Sequence, residues 1–244
     1  MKLYHGTSTA RLAAILETGI LPRRESKKKS LWSKNPSADD RVYLSDIYAP
    51  YFAFHAAEHD RADALILEVD TDRLLPTRFL PDEDFLEQAS RKQSAEAVGM
   101  KKNVTTLEAR TRFFRQNTHR WRSGWTDSVK HLGTCAVQGR ISPEAITRYV
   151  TVDCKKMSSL RFMATDASIS IINHTYCSGK YTALTALLMG DRPSARQWVE
   201  TQLGHGSPYS ELEKMFPAPF LDQSLLQATD LLQAMNTGVQ VYNR

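Results

Sequence analysis

The sequence predicts an α+β fold in which a mixed β-sheet with flanking helices occupies residues 1–156. A helical subdomain is predicted over residues 157–244. In the first part, short strand-like runs rich in apolar and β-branched residues recur between segments of helical periodicity. After about Met157 the composition changes, and helical patterns dominate between Gly and Pro breaks. The 244 residues suffice for one large domain, or for one domain with a small appendage.

The first predicted elements are a strand, a helix and a second strand. Residues 3–7 (LYHGT) and 42–46 (VYLSD) have strand-like sequences, and their last polar residues are expected to project into a cleft. Between them, Ser8 or Thr9 is suited to cap a helix, and Gly19 is suited to end it. The apolar positions that recur at helical spacing are Leu12, Ile15 and Leu16.

Further strands and helices follow the same kinds of pattern. The additional predicted strands are 65–69, 135–139 and 148–152. The additional predicted helices are 56–63, 107–121, 125–130, 180–190, 193–203 and 222–235. Asp82 or Asp84 is expected to cap one more helix, because an acidic first turn follows directly.

Composition excludes several classes of protein. The chain is 41% hydrophobic and 24% charged, which is typical of a soluble globular domain, and no apolar run is long enough to span a membrane. We therefore expect no membrane partner and no cleaved signal peptide. Three cysteines without metal-like spacing favour a reducing, cytoplasmic setting. A net charge of +5 favours an anionic partner.

The first two strands place three different chemical groups near one predicted pocket. His5 supplies an imidazole, Gly6 supplies bare backbone, and Tyr43 supplies a phenol. Glycine allows a ligand to lie against main-chain N–H and C=O groups, imidazole can bond a ribose hydroxyl, and a phenol ring can stack on a planar ring. The set suits a planar, amide-bearing ligand linked to phosphate.

These two strings, in this order and separation, resemble the histidine–tyrosine branch of the ADP-ribosyltransferase superfamily. That branch includes the poly(ADP-ribose) polymerases and the DNA-targeting ADP-ribosyltransferase toxins. Its first strand carries His-Gly-Thr or His-Gly-Ser, and its second carries Tyr, followed by a Tyr-Phe-Ala segment. Residues 43–54 (YLSDIYAPYFAF) follow this layout, and the resemblance covers roughly residues 1–152.

The resemblance implies a split mixed sheet and NAD as the bound substrate, without a metal. His5 would hold the nicotinamide-side ribose, and the Gly6 backbone would grip the carboxamide. Tyr43 and Phe54 would sandwich the nicotinamide ring. The remaining residues of the expected NAD site are Thr7 and Ser45. Phe54 has a second interpretation, compatible with the first, as a core residue on an amphipathic helix.

The family's catalytic glutamate is missing from its usual position. Transfer of ADP-ribose proceeds through an oxocarbenium-like transition state, which a carboxylate can stabilise while it also deprotonates the acceptor. In the family this Glu begins a late strand, and Thr134 stands there in the matching stretch 134–143. Three interpretations remain open. Either Glu83, within the acidic cluster 82–84, substitutes for it; or Thr134 itself bonds the ribose 2′-hydroxyl; or the protein binds NAD or ADP-ribose without consuming it.

Other enzyme classes have weaker support. RNA 2′-phosphotransferases share a string like LYHGT, but their second strand has His where this chain has Tyr43. Arg41 is the one residue that corresponds to an arginine of their motifs. Only four residues precede His5, so we expect no counterpart of the arginine that this family has upstream. Protein-directed ADP-ribosylation remains an alternative. His55 and His59 have a zinc-like spacing that is more typical of a solvated helix face, and Cys135 is expected to be a buried small residue.

Two basic segments favour a nucleic acid, either RNA or single-stranded DNA, as the acceptor. One is the loop 23–40, and the other is the stretch 110–130, in which arginines alternate with aromatic residues. The residues expected to contact nucleic acid are Lys27, Lys28, Lys29, Arg112, Arg115, Arg120, Trp121 and Arg122. The alternative for the second stretch is a helix with its aromatic residues in the core. The resemblance further suggests a toxin or phage-defence effector, with an antitoxin or inhibitor as a possible partner.

Overall fold

The computed structural model describes residues 1–27, 36–155, 181–182, 185, 188–189 and 240–243. These residues form a mixed α/β structure. Its strands are β1 (Lys2–Ser8), β2 (Arg41–Ser45), β3 (Ala64–Asp70), β4 (Phe79–Pro81), β5 (Thr134–Gln138), β6 (Ile146–Val152) and β7 (Gln240–Asn243). Its α-helices are α1 (Leu12–Thr18), α2 (Arg23–Ser26), α3 (Ala49–Asp60), α4 (Glu83–Ala89), α5 (Leu107–Asn117) and α6 (Trp125–Leu132).

The strands are hydrogen-bonded in the order β4-β5-β2-β1-β3-β6-β7. Strand β5 pairs antiparallel with both β2 and β4, and β6 pairs antiparallel with β7. In the β2–β5 ladder, Tyr43 lies opposite Ala136 and Ser45 lies opposite Thr134. The coarse prediction of an α+β chain built on a sheet is confirmed. The specific ADP-ribosyltransferase arrangement stays a prediction.

The chain divides into two compact units. The first unit comprises Met1–Leu3, the described parts of Ala13–Asp46, and Val69–Ile146. The second comprises Tyr4–Leu12, Ile47–Glu68 and the described residues from Thr147 onward. In the first unit, one core cluster consists of Leu86, Val98, Met100 and Phe114. The second unit has a larger core of aliphatic and aromatic side chains, which includes Tyr48, Phe54, Ile66, Val150 and Tyr181.

Most helices begin and end at the capping and terminating residues that the sequence predicted. Gly19 adopts a φ of +86° and its N–H bonds the Ile15 carbonyl, so it ends α1 as expected. Asp82 caps α4 by accepting a hydrogen bond from the Asp84 N–H, which confirms one of the two predicted caps. Of the two caps predicted for the first helix, Ser8 stands at the N-cap of the 3-10 segment Thr9–Arg11 that precedes α1, but its hydroxyl donates to Asp60 at 2.5 Å and makes no capping hydrogen bond.

The predicted strands and the N-terminal helix all occur, but several other bounds differ. Helix α3 begins at Ala49, where Pro50 fits the first turn, and it ends before Arg61, which adopts a left-handed conformation. The helix predicted over 107–121 stops at Asn117, and a 3-10 segment, Thr118–Gly124, follows it. Strand β7 was not predicted, because its four residues are too short a pattern to distinguish.

Most of the predicted C-terminal helices cannot be compared with the structure. The segments 193–203 and 222–235 lie outside the described residues, as does much of 180–190. Within the latter, the described positions Tyr181, Thr182, Thr185 and Leu188 are helical. The Thr185 hydroxyl donates to the Ile47 carbonyl at 2.8 Å, which ties this helix to the second unit's core.

Candidate active site

The first unit brings together Tyr43 of β2 and Glu83, the first residue of α4. The Tyr43 hydroxyl lies 2.8 Å from Glu83 Oε1 and 2.7 Å from Oε2, so it donates to the carboxylate. The same phenol oxygen accepts a hydrogen bond from the Ala38 N–H at 2.9 Å. Because this acceptor role is filled by an amide, the phenol proton is directed at Glu83. These contacts fix the orientation of both side chains.

An arginine supplies the positive charge next to this pair. Arg115 of α5 donates from Nε to Glu83 Oε1 at 3.3 Å. The Glu83 side chain is only 4% exposed and that of Arg115 is 16% exposed, so the ion pair is largely shielded from water. Arg41 holds the end of α5 in place by donating to the Thr118 hydroxyl at 2.7 Å and to the Arg115 carbonyl at 3.3 Å.

Thr134, at the position of the family's glutamate, is joined to the residue before Glu83. Its hydroxyl donates to Asp82 Oδ2 at 2.8 Å. Ser128 connects the same residues through their main chains, because its hydroxyl accepts from the Asp82 N–H at 2.9 Å and donates to the Thr134 carbonyl at 2.7 Å. The start of α4 is therefore joined to the start of β5 by hydrogen bonds, which place Asp82 beside Thr134.

Burial and charge crowding alter the acid–base behaviour of this group. Burial raises the pKa of Asp82 well above its usual range, and the charges of Asp84 and Glu83 raise it further. The pKa of Tyr43 is also raised well above its usual value, first by burial and then by the charge of Glu83. The phenol therefore stays protonated, and remains a hydrogen-bond donor to Glu83, at neutral pH.

The predicted NAD residues of β1 lie in the second unit. A Cβ at Gly6 would lie 2.0 Å from the Ala49 carbonyl oxygen and 2.6 Å from the Ala53 nitrogen, so glycine is required there for packing against α3. Thr7 is buried and His5 is partly exposed. Close helix packing thus explains Gly6 without a ligand, while its contact with a carboxamide stays a prediction. The convergence of His5 and Tyr43 on one ligand also stays a prediction.

Two other predicted NAD residues have structural roles. Phe54 is fully buried in the second unit's core, as its helical pattern predicted. Stacking on nicotinamide would require its ring to leave that core, so the structure as it stands does not offer Phe54 to a ligand. Ser45, in the first unit, donates to the Gly133 carbonyl at 2.7 Å and is buried. This contact joins β2 to the left-handed turn that ends α6.

The residues expected to bind nucleic acid fall into different environments. Lys28 and Lys29 lie outside the described residues, while Lys27 is exposed in a left-handed turn. Arg112 is exposed on α5. Arg115 forms an ion pair with Glu83, and its contact with nucleic acid stays a prediction. The sequence could not show this ion pair, because 32 residues separate the partners.

Trp121 packs mainly as a core aromatic residue. Its ring contacts Phe114 edge-on at 5.2 Å between centroids, and Arg120 lies 5.0 Å over its face. A nucleic-acid base could stack on that face only by displacing Arg120, and the contact of Trp121 with nucleic acid stays a prediction. The alternative interpretation, an arginine-rich segment whose aromatic residues face the core, is confirmed for Phe114 and in part for Trp121. Arg122 is partly exposed and contacts Gln138.

Several remaining sequence interpretations can be compared with the structure. Cys135 is fully buried, and burial raises the pKa of its thiol, as expected for a residue that is not a nucleophile. His59 contacts Asp60 at 3.1 Å, and His55 packs against Tyr51. Within the described ranges, no group of three potential metal ligands occurs. In the same ranges, no helix is long and apolar enough to cross a membrane.

Sequence reasoning identified Glu83 but missed its neighbours' roles. Asp82 was predicted as a helix cap, whereas its second oxygen also binds Thr134. The signal that could have suggested this is the pattern Asp-Glu-Asp after a strand that must lie beside another strand. Neither Ala38 nor Ser128 carried any sequence signal. No protein-family model matches the chain, and no curated protein matches it.

Proposed function

We propose that the protein is an NAD-dependent mono-ADP-ribosyltransferase of the histidine–tyrosine type that modifies a nucleic acid. The observation that supports this most is the hydrogen-bonded pair of Tyr43 and Glu83. The motif resemblance requires a carboxylate near Thr134, which stands where the family has its glutamate. A buried carboxylate that touches Tyr43, one residue from the Asp82 that binds Thr134, meets that requirement from a different strand–helix junction.

In the proposed reaction, the bond between ribose C1′ and the nicotinamide nitrogen breaks, and nicotinamide leaves with the electron pair. The acceptor atom of the nucleic acid forms the new bond to C1′, and its proton passes to Glu83. A carboxylate near C1′ also stabilises the positive charge that develops on the ribose. Proton transfer of this kind contributes about 10²–10⁴ in rate.

The described contacts suggest how Glu83 would be held for this task. A carboxylate has about four lone-pair sites. In the described part of the chain, Oε2 accepts only from Tyr43, whereas Oε1 accepts from both Tyr43 and Arg115. Oε2 is therefore the oxygen with capacity left for a ribose 2′-hydroxyl. His5 and Gly6 would bind the nicotinamide half of NAD.

A second candidate function is binding of NAD or ADP-ribose without turnover. The shielding of Glu83 favours it, because a carboxylate that is only 4% exposed, with two protein partners, can be purely structural. In that case Glu83 and Arg115 would stabilise the first unit and would not contact the ribose.

Labelled NAD distinguishes the candidates. The protein is incubated with NAD labelled in the adenylate portion, together with RNA, single-stranded DNA or a protein mixture, and both label transfer and free nicotinamide are followed. Label on RNA or DNA supports the proposal, and label on protein supports protein-directed transfer. NAD that binds but is never consumed, with binding lost in His5→Ala, supports the binding module. A protein that neither binds nor consumes NAD would contradict both functions.

A further inference from the structure

Three arginines meet at the end of β5 in the first unit, and we call Arg78, Arg122 and Arg140 the arginine cluster. Arg78 donates from Nε to the Gln138 carbonyl at 2.9 Å and from Nη2 to the Arg140 carbonyl. Arg122 approaches the Gln138 side-chain oxygen at 3.5 Å. All three guanidinium-bearing residues thus gather around the short segment 138–140.

The local fold explains why residues so distant in sequence gather here. Strand β4 pairs antiparallel with β5, with Phe79 opposite Val137, so the residue before β4 lies beside the residues that follow β5. Gly139 has a φ of +73°, which turns the chain sharply after β5. This turn presents the Arg140 carbonyl to Arg78. Arg122 comes from the 3-10 segment Thr118–Gly124.

No carboxylate among the described residues neutralises the positive charge of the cluster. Within the described ranges, none of its three members has a carboxylate oxygen within 4.0 Å, and the arginines that do have one are Arg11, Arg41, Arg73, Arg91, Arg110, Arg115 and Arg148. Burial lowers the pKa of Arg78, and the charge of Arg140 lowers it further. Like charges are therefore held close together. Such an arrangement costs free energy unless an anion joins it.

We propose that the arginine cluster binds the phosphodiester backbone of a nucleic-acid strand. Guanidinium groups match phosphate oxygens with paired N–H donors, and Arg140 is exposed while Arg122 is partly exposed. An aromatic ring favours nucleic acid over an acidic protein. Trp125, partly exposed, stacks at 4.5 Å on Phe79, the neighbour of Arg78.

This inference rests on the proposed function, since it names the surface that would hold the acceptor. The structure also separates the roles within the cluster. Arg78 uses two donors on main-chain carbonyls and so positions the turn, whereas Arg122 and Arg140 keep donors for a ligand. Substitution of Arg78 would disturb the turn itself. The test therefore uses the other two members.

The experiment measures binding of fluorescent RNA, single-stranded DNA and duplex DNA, each about 20 nucleotides long, by anisotropy over a range of salt concentrations. The test variant is Arg122→Gln/Arg140→Gln, and the matched control is Lys92→Gln/Lys101→Gln, which removes two exposed positive charges elsewhere in the first unit. We expect the test variant to lose about tenfold in affinity for at least one nucleic acid at about 0.15 M salt. For a single strand, its slope of log K against log salt should be shallower by about 1.4. The control should stay within about twofold of wild type, because it removes no phosphate contact.

The result that overturns the proposal is equal loss in both variants, an unchanged salt slope, or no binding by the wild type at about 50 mM salt. Polyglutamate serves as a competitor, and if it displaces nucleic acid at equal charge concentration, the partner is an acidic protein and the proposal fails. A second measurement, the release of nicotinamide from NAD in the absence of nucleic acid, distinguishes failure of this inference from failure of the proposed function. If the test variant loses nucleic-acid binding but the wild-type protein consumes no NAD, only the proposed function is contradicted. If the test variant and the control label nucleic acid equally, only the inference about the arginine cluster is contradicted.

Discussion

The Tyr43 hydroxyl donates to both oxygens of Glu83, at 2.8 and 2.7 Å, and so joins a strand residue to the first residue of a helix 40 positions later. The contact joins two candidate site residues from separate parts of the sequence in one hydrogen-bonded pair. It also makes the stability of this region depend on a buried carboxylate that needs its hydrogen-bond donors.

Replacing Tyr43 with Phe is expected to lower the free energy of unfolding by about 1–3 kcal/mol, because a buried carboxylate loses a donor. Urea denaturation followed by circular dichroism measures the change. Tyr149→Phe is the matched control, since it keeps the ring stack on Tyr242 and should cost less than about 0.5 kcal/mol. Equal effects of the two substitutions would show that the Tyr43–Glu83 contact contributes nothing specific.

Two arginines that pair with glutamates of α4 differ in exposure. Arg115→Gln should lower the free energy of unfolding by about 3 kcal/mol, because it leaves the shielded Glu83 with less compensation. Arg91→Gln breaks a shorter pair with Glu87, at 2.8 Å, but its side chain is 57% exposed, so the loss should stay below about 1 kcal/mol. Chemical denaturation of both variants tests this, and the reverse order would contradict the role given to shielding.

The pH dependence of stability should report Asp82. Its pKa in the folded protein is raised above the ordinary value of 3.8, so the folded state keeps a proton that the unfolded chain has lost. The stabilisation is complete below pH 3.8 and is lost as pH rises through the folded pKa. Each tenfold gain in proton affinity on folding corresponds to about 1.4 kcal/mol of this stabilisation.

Asp82→Asn should therefore flatten the fall in unfolding free energy as the pH rises above 3.8, relative to wild type. Urea titrations at several pH values give the two curves. Asp39→Asn removes an exposed carboxylate of the first unit and is the control variant. An Asp82→Asn curve that runs parallel to wild type would mean that Asp82 is ionised as in the unfolded chain.

Gly6 is expected to tolerate no side chain. Gly6→Ala would place a methyl group 2.0 Å from the Ala49 carbonyl oxygen, so we expect a loss of at least about 3 kcal/mol in thermal unfolding experiments. Gly124→Ala is the control, because nothing lies within 4 Å of its added Cβ, and it should change stability by less than about 1 kcal/mol. A stable Gly6→Ala protein that has lost NAD binding would assign Gly6 to the ligand and not to packing.

The sequence predicted strands and helix ends well where local chemistry decides them. Residues 3–7 and 42–46 have strand-forming patterns, and Gly19 ends its helix because glycine adopts positive φ without strain. Glu83 stood out because an acidic turn followed a strand and a loop. Its contact with Tyr43 is a geometric outcome of the fold, whereas its part in catalysis stays a prediction.

Contacts that depend on register and packing could not be predicted. The bond from Thr134 to Asp82 joins residues 52 positions apart and requires both the β4–β5 register and the capped start of α4. Arg115 had the same sequence features as its exposed neighbours, but its position on α5 directs it to Glu83. Ser8 has the right chemistry for a helix cap, but in the folded protein its hydroxyl donates to Asp60, which is 52 positions away in the sequence.

The most direct test of the account is the rate of nicotinamide release from NAD by wild type, Glu83→Gln and Glu87→Gln. Glu87 is a matched control, because it lies one turn later on α4, is equally buried and also pairs with arginine. We predict that Glu83→Gln releases nicotinamide at least about 100-fold more slowly than wild type, while folded Glu87→Gln stays within about threefold. Equal rates in wild type and a folded Glu83→Gln protein would contradict a catalytic role for Glu83.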